Sequence, residues 1–151
     1  SASGLETSGI AKGYIAFALR GLDVSEIFDN VTPTTANSTL GMPNSPSITP
    51  ASANSSILTV GWLDDDVITA TAPTNYTLIA SQSVYSGDGS AATLMVAIRN
   101  LISSAENPGV FGGSGTDYWV AYSLVLKRSV VYGNYKNSGV WDLTQVYESK
   151  I

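Results

Sequence analysis

The chain has 151 residues, 44% of them hydrophobic and only 13% charged, with a formal net charge of −5 at pH 7. That is enough apolar material for the core of one domain, and the seven Lys and Arg (Lys12, Arg20, Arg99, Lys127, Arg128, Lys136 and Lys150) are scattered, so no basic stripe exists to neutralise phosphates and nucleic acid is not an expected partner. With no Cys and no His, the composition excludes disulfides, zinc–thiolate centres and Ser-His or Cys-His nucleophiles, and it fits either a cytosolic product or an extracellular particle that needs no disulfides.

Ser, Thr, Asn and Gly are abundant and charges are few, which describes a neutral polar surface over many turns and favours an all-β chain. Residues 1–9 are small and polar. The first predicted strand is GYIAFALR (13–20), apolar on both faces and therefore expected to be central. It ends in RGLD (20–23), where Arg20 and Asp23 could pair across a glycine turn. From 29 to 56 the composition shifts to Thr, Ser, Asn and Pro, with Pro33, Pro43, Pro46 and Pro50 blocking helix and central strand. The expectation is a surface excursion pinned along the sheet, with Ile48 as its anchor.

SILTVGWL (56–63) is the next strand, with Leu58, Val60 and Trp62 on one face. Asp64, Asp65 and Asp66 follow it. A Ca²⁺ loop needs six to eight oxygens and the EF-hand pattern is absent, so a solvated strand end is expected. Residues 67–71 read as a short strand or bulge, 72–75 as a turn, YTLIA (76–80) as a strand and SGDGS (86–90) as a second turn.

Two apolar runs, 93–101 and 118–128, then flank a segment rich in turn residues, Asn107-Pro108-Gly109 and Gly112-Gly113-Ser114-Gly115, which is expected to carry no regular structure. Arg99 marks the point where one strand face reaches solvent. Strands at this spacing predict an antiparallel β-sandwich of jelly-roll type over residues 1–128. Residues 129–151 form a C-terminal extension, in which Trp141, Leu143, Val146 and Tyr147 fall at helical spacing and predict a short helical turn. That stripe suits docking on the chain's own sandwich or on another subunit, so the extension is a candidate inter-subunit clasp. Its assembly candidates are Tyr132, Tyr135, Trp141, Leu143, Val146 and Tyr147.

The order RGLD (20–23), SPSITP (45–50), WLDDD (62–66), APTNYT (72–77), ATLMVAIR (92–99), AENPGVFGGSGTDYWVA (105–121) and SLVLKR (123–128) resembles a family of β-sandwich domains in phage virion and tail-fibre-like proteins. The resemblance covers residues 9–128 and implies further strands upstream of residue 13, whose absence would leave a sheet edge open to a neighbour. GVWDL with Gln145, Val146 and Tyr147 is similar to a short module near the ends of phage structural proteins, although that module's terminal Trp-Pro is missing here.

The resemblance implies a non-enzymatic structural subunit of a virion: capsid decoration or cement, or a tail or fibre component. Its partners would be itself and other virion proteins, without cofactor, metal or membrane. No apolar run approaches the ~20 residues of a membrane-spanning helix. A second hypothesis is a carbohydrate-binding or receptor-binding adhesin, in which Tyr85, Phe111 and Tyr118 at loop surfaces stack on a cell-surface glycan; Trp119 is expected in the core. An extracellular filament subunit is a third. A hydrolase would need two carboxylates at a set separation among Asp64, Asp65, Asp66, Asp88, Glu106 and Asp117, a weak case for acidic turn residues. The sequons at Asn30, Asn37, Asn54 and Asn75 carry no weight in so Ser-, Thr- and Asn-rich a chain.

Overall fold

The computed structural model describes residues 13–29, 32–65, 69–85, 91–102 and 104–129. All regular structure among them is strand: β1 (Thr34–Ser38), β2 (Asn44–Ser45), β3 (Ser55–Leu63), β4 (Thr77–Tyr85), β5 (Ala91–Ile102), β6 (Gly109–Val110) and β7 (Trp119–Leu126). Five strands form one antiparallel sheet in the order β1-β7-β3-β5-β4, and β2 pairs with β6 in a separate antiparallel ribbon.

Strand periodicity divides the large sheet into two faces. On the inner face Ile57, Leu63, Met95, Ala97, Trp119, Ala121 and Val125 are buried, and Ile48, Tyr76 and Phe111 close over them from the connecting segments. The fit is tightest at Gly61 in the middle of β3. A Cβ there would meet Cβ of Pro43 at 2.7 Å and the Phe111 ring at 3.1 Å, so only glycine lets the β2–β6 layer approach the sheet. Three small hydroxyls of the same face are hydrogen-bonded: Ser45 bonds Thr59, Thr59 Oγ1 donates to the Tyr122 carbonyl at 3.2 Å, and Ser123 Oγ donates to the Pro46 carbonyl at 2.7 Å. On the outer face Leu58, Val96 and Leu126 are buried under Ile15, Leu19 and Leu22.

The excursion from 29 to 56 is pinned as expected. Ile48 is buried and exchanges backbone hydrogen bonds of 2.9 Å with Glu106. It is more ordered than a loop, because β1 and β2 lie within it. The turn before β4 forms too: Tyr76 N donates to the Pro73 carbonyl at 3.0 Å, while Asn75 takes the left-handed backbone that Asn tolerates. Asn54, another sequon residue, does the same before β3.

Three expectations are corrected. Residues 13–20 are not a central strand; they form an extended strap on the outer face, where Ile15 and Leu19 are half-buried and Tyr14 is 76% exposed. An apolar alternation fits either arrangement, because burial against a sheet face needs no ladder hydrogen bonds. Arg20 does not pair with Asp23, whose carboxylate accepts hydrogen bonds from Ser25 N (2.9 Å) and Ser25 Oγ (2.6 Å) and lies 3.8 Å from Lys127. The segment between the two long runs is not wholly irregular either: it supplies β6, and Phe111 N donates to the Pro43 carbonyl at 2.9 Å. The predicted helical turn after Asp142, the 86–90 turn and part of the 67–71 element lie outside the described residues.

Candidate functional site

The loop-surface candidates divide. Tyr85, at the end of β4, is 66% exposed, and Tyr118, just before β7, is 57% exposed. Phe111 is 1% exposed, which corrects its assignment to the surface. It follows β6, whose pairing with β2 turns the ring inward against Gly61 and the main core. Trp119 is buried as expected, with its indole Nε1 directed at the Leu40 carbonyl, 3.4 Å away. Tyr85 and Tyr118 do not share a platform: β4 and β7 stand three places apart in the sheet, about 14 Å at the usual strand spacing.

The acidic residues are held by separate local contacts, Asp64 through its backbone and Asp65 and Asp117 through their carboxylates. Asp64 N donates to the Tyr118 carbonyl at 2.8 Å, Asp65 Oδ2 accepts from Thr116 N at 3.3 Å, and Asp117 Oδ1 accepts from Tyr118 N at 2.7 Å. Glu106 sits apart, in an ion pair of 2.5 Å with Arg99. Beside that pair lies buried Tyr76. Burial pushes its phenol far above the ordinary value, the Glu106 charge adds to the effect, and Arg99 opposes it. This cluster fastens the 104–106 turn to the end of β5. Asp66 and Asp88 lie outside the described residues, and among those residues no group of three acidic side chains could hold a metal ion.

Two further anchors, unforeseen in the sequence, hold residues 21–29 along β7. Asp29 is 2% exposed and accepts hydrogen bonds from Ala51 N (2.6 Å) and Ser52 N (2.9 Å), with Ser55 Oγ at 3.4 Å. Burial pushes its carboxyl up, but these donors outweigh burial and hold it below the ordinary range. Lys127 bonds Glu26 and lies near Asp23, and the hydrogen bond to Glu26 leads in raising its ammonium above the ordinary value. The backbone follows the same line, with Asp23 N on the Lys127 carbonyl at 2.9 Å and Lys127 N on the Ile27 carbonyl at 2.8 Å.

Among the described residues, no further strand lies beyond the rim of the sheet or over part of its outer face. β4 has β5 on one side and no strand on the other among the described residues, and its nine residues, TLIASQSVY, contain no charge and no Pro. On the outer face Trp62 is 36% and Tyr122 is 42% exposed. The assembly candidates Tyr132, Tyr135, Trp141, Leu143, Val146 and Tyr147 lie outside the described residues. Comparison with protein-family models, with curated proteins and with solved structures finds no match.

Proposed function

We propose that this protein is a non-enzymatic structural subunit of a bacteriophage virion, a capsid decoration or cement protein or a tail or fibre component, that works through protein–protein assembly. The observation that carries the reading is the uncharged rim strand β4, whose pairing register with β5 runs without interruption from Ala80 to Tyr85. Monomeric β proteins blunt such edges with Lys, Pro or inward charges, because unpaired backbone groups accept any passing strand. A subunit built to be joined keeps the edge unblunted, so that a neighbour can add main-chain hydrogen bonds.

The motif order shared with phage virion and tail-fibre-like proteins supports the same reading. Under it, the five-stranded sheet and the β2–β6 layer make up a sandwich of jelly-roll type, the partners are further copies and other virion proteins, and the location is the particle. An extracellular filament subunit would use the same edge physics in another setting.

Mass spectrometry and cryo-EM of the source particle test the biology, and Gln82→Lys tests the edge. Gln82 is exposed on β4, so a Lys there places charge on the rim without entering the core. The variant is expected to keep the far-ultraviolet circular dichroism of the parent and to lose concentration-dependent association in sedimentation velocity. A parent chain that stays monomeric at all concentrations and is missing from the particle would sink the proposal.

A further inference from the structure

The outer face of the large sheet is only half covered. Residues 13–22 run from Val84, against which Gly13 lies, to the end of β7, where Leu22 bridges Arg128, and they bury the half of the face around Leu58, Val96 and Leu126. The rest of the face carries a strip of apolar side chains that are partly or largely exposed. Trp62 is directly opposite Val120 on β7 and Leu94 on β5, and Val60 is opposite Tyr122. Phe28, 58% exposed, bridges Leu126 and so belongs to the same face. None of these six side chains is charged.

We propose that the occupant of this strip is the apolar stripe of the same chain's C-terminal segment, Trp141, Leu143, Val146 and Tyr147. The described fold ends just past the strand that carries the strip: Ser129, three residues beyond β7, donates its N–H to the Gly21 carbonyl at 3.0 Å. Trp141 lies twelve positions after Ser129, a reach of up to about 40 Å at ~3.3 Å per residue. Val120 in the strip lies six residues back along β7 from Leu126, which is about 20 Å. The tether therefore spans the distance with length left for a reversal, and Gly133-Asn134 supplies turn chemistry for one.

Leu143, Val146 and Tyr147 recur at the i, i+3, i+4 spacing that places side chains on one helical stripe, while Asp142 and Glu148 fall off it and Lys150, at i+7, ends the stripe with a stem long enough to carry its charge to water. Three apolar side chains of the stripe meet an uncharged strip. A tether this short holds the segment at an effective concentration in the millimolar range, above that of a second copy in dilute solution, which favours the chain's own tail as the occupant. The proposal concerns the isolated chain and stands whether or not the protein belongs to a virion.

The chain has no cysteine, so Ser149→Cys gives a single site for a nitroxide spin label in the full-length protein. With label and ¹⁵N on the same chain, the amides of Val60, Trp62 and Tyr122 are expected to lose intensity, and to recover it on reduction of the nitroxide. In a mixture of labelled ¹⁴N chains and unlabelled ¹⁵N chains they are expected to be unaffected. Broadening that appears only in the mixture would make the occupant a second copy, and broadening absent or elsewhere would leave the strip without this partner; either result overturns the proposal.

Hydroxyl-radical footprinting of Val146→Asp guards against an effect of the label. Oxidation of Trp62 is expected to rise roughly threefold or more as it moves from covered to exposed. Buried Trp119 is the internal control for folding and should not change. An unchanged Trp62 alongside an unchanged Trp119 overturns the proposal.

Discussion

Asp29 shows how one side chain can organise a region that composition presents as a plain polar excursion. Its carboxylate gathers the amides of Ala51 and Ser52 and the hydroxyl of Ser55, so the turn leading into β3 closes on a charge already out of water. Because its folded value is depressed, the unfolded chain binds more protons near the ordinary value of 3.8. Its stabilising contribution is therefore fully present above that value and is lost as pH falls through the lower folded one. Asp29→Asn is expected to cost about 1–2 kcal/mol at neutral pH, since hydrogen bonds to a charge outweigh neutral ones. The loss should shrink toward zero in acid, which urea melts at a series of pH values would read. A constant difference down to pH 2 would mean that the carboxylate titrates normally. Nothing in the sequence marked Asp29, because its donors come from residues 22 and more positions away whose only common property is their place in space.

Among the elements, the β2–β6 ribbon matters most to the core, although it is the least visible in sequence. Two residues against two residues make no hydrophobic pattern, yet their pairing brings Pro43 and Phe111 down on Gly61. Phe111 thus acts as a packing keystone between the layers and not as a stacking surface for a sugar. Phe111→Ala is expected to cost roughly 3–5 kcal/mol through a cavity that the rigid ribbon cannot fill. Urea denaturation with an unchanged m-value measures it. A loss below about 1 kcal/mol would place the ring outside the core. The long strands β3, β5 and β7 were legible because each is a mostly apolar run of eight or more residues, rich in β-branched or aromatic side chains and followed or preceded by turn residues. β4 was legible only in its first half, since Ser81 to Tyr85 carry little apolar contrast at a sheet rim.

At the scale of the whole molecule, the strand order decides how the chain must fold. β1 pairs with β7 across more than 80 residues, Thr34 against Ser123, and β3 lies between β7 and β5. Such non-local pairings close large loops before any contact stabilises them. Refolding is expected on a scale of milliseconds to seconds, as in other sheets of distant strands. Stopped-flow tryptophan fluorescence checks this, and microsecond relaxation would mean that local hairpins dominate. Among the described residues the same order leaves β1 and β4 as rims, and the uncharged β4 is the physical basis for proposing assembly.

By itself the sequence determined the all-β class, the three long strands, the pinned excursion with Ile48 as its anchor, and the lack of Cys and His chemistry. Each of these follows from local pattern or from composition. Only the tertiary structure decided that residues 13–20 lie across a face and not within the sheet, that Phe111 is core, and that β4 forms a rim. An alternating apolar segment gains the same burial from either arrangement. What selects one is which backbone edge and which sheet face the rest of the chain has already taken.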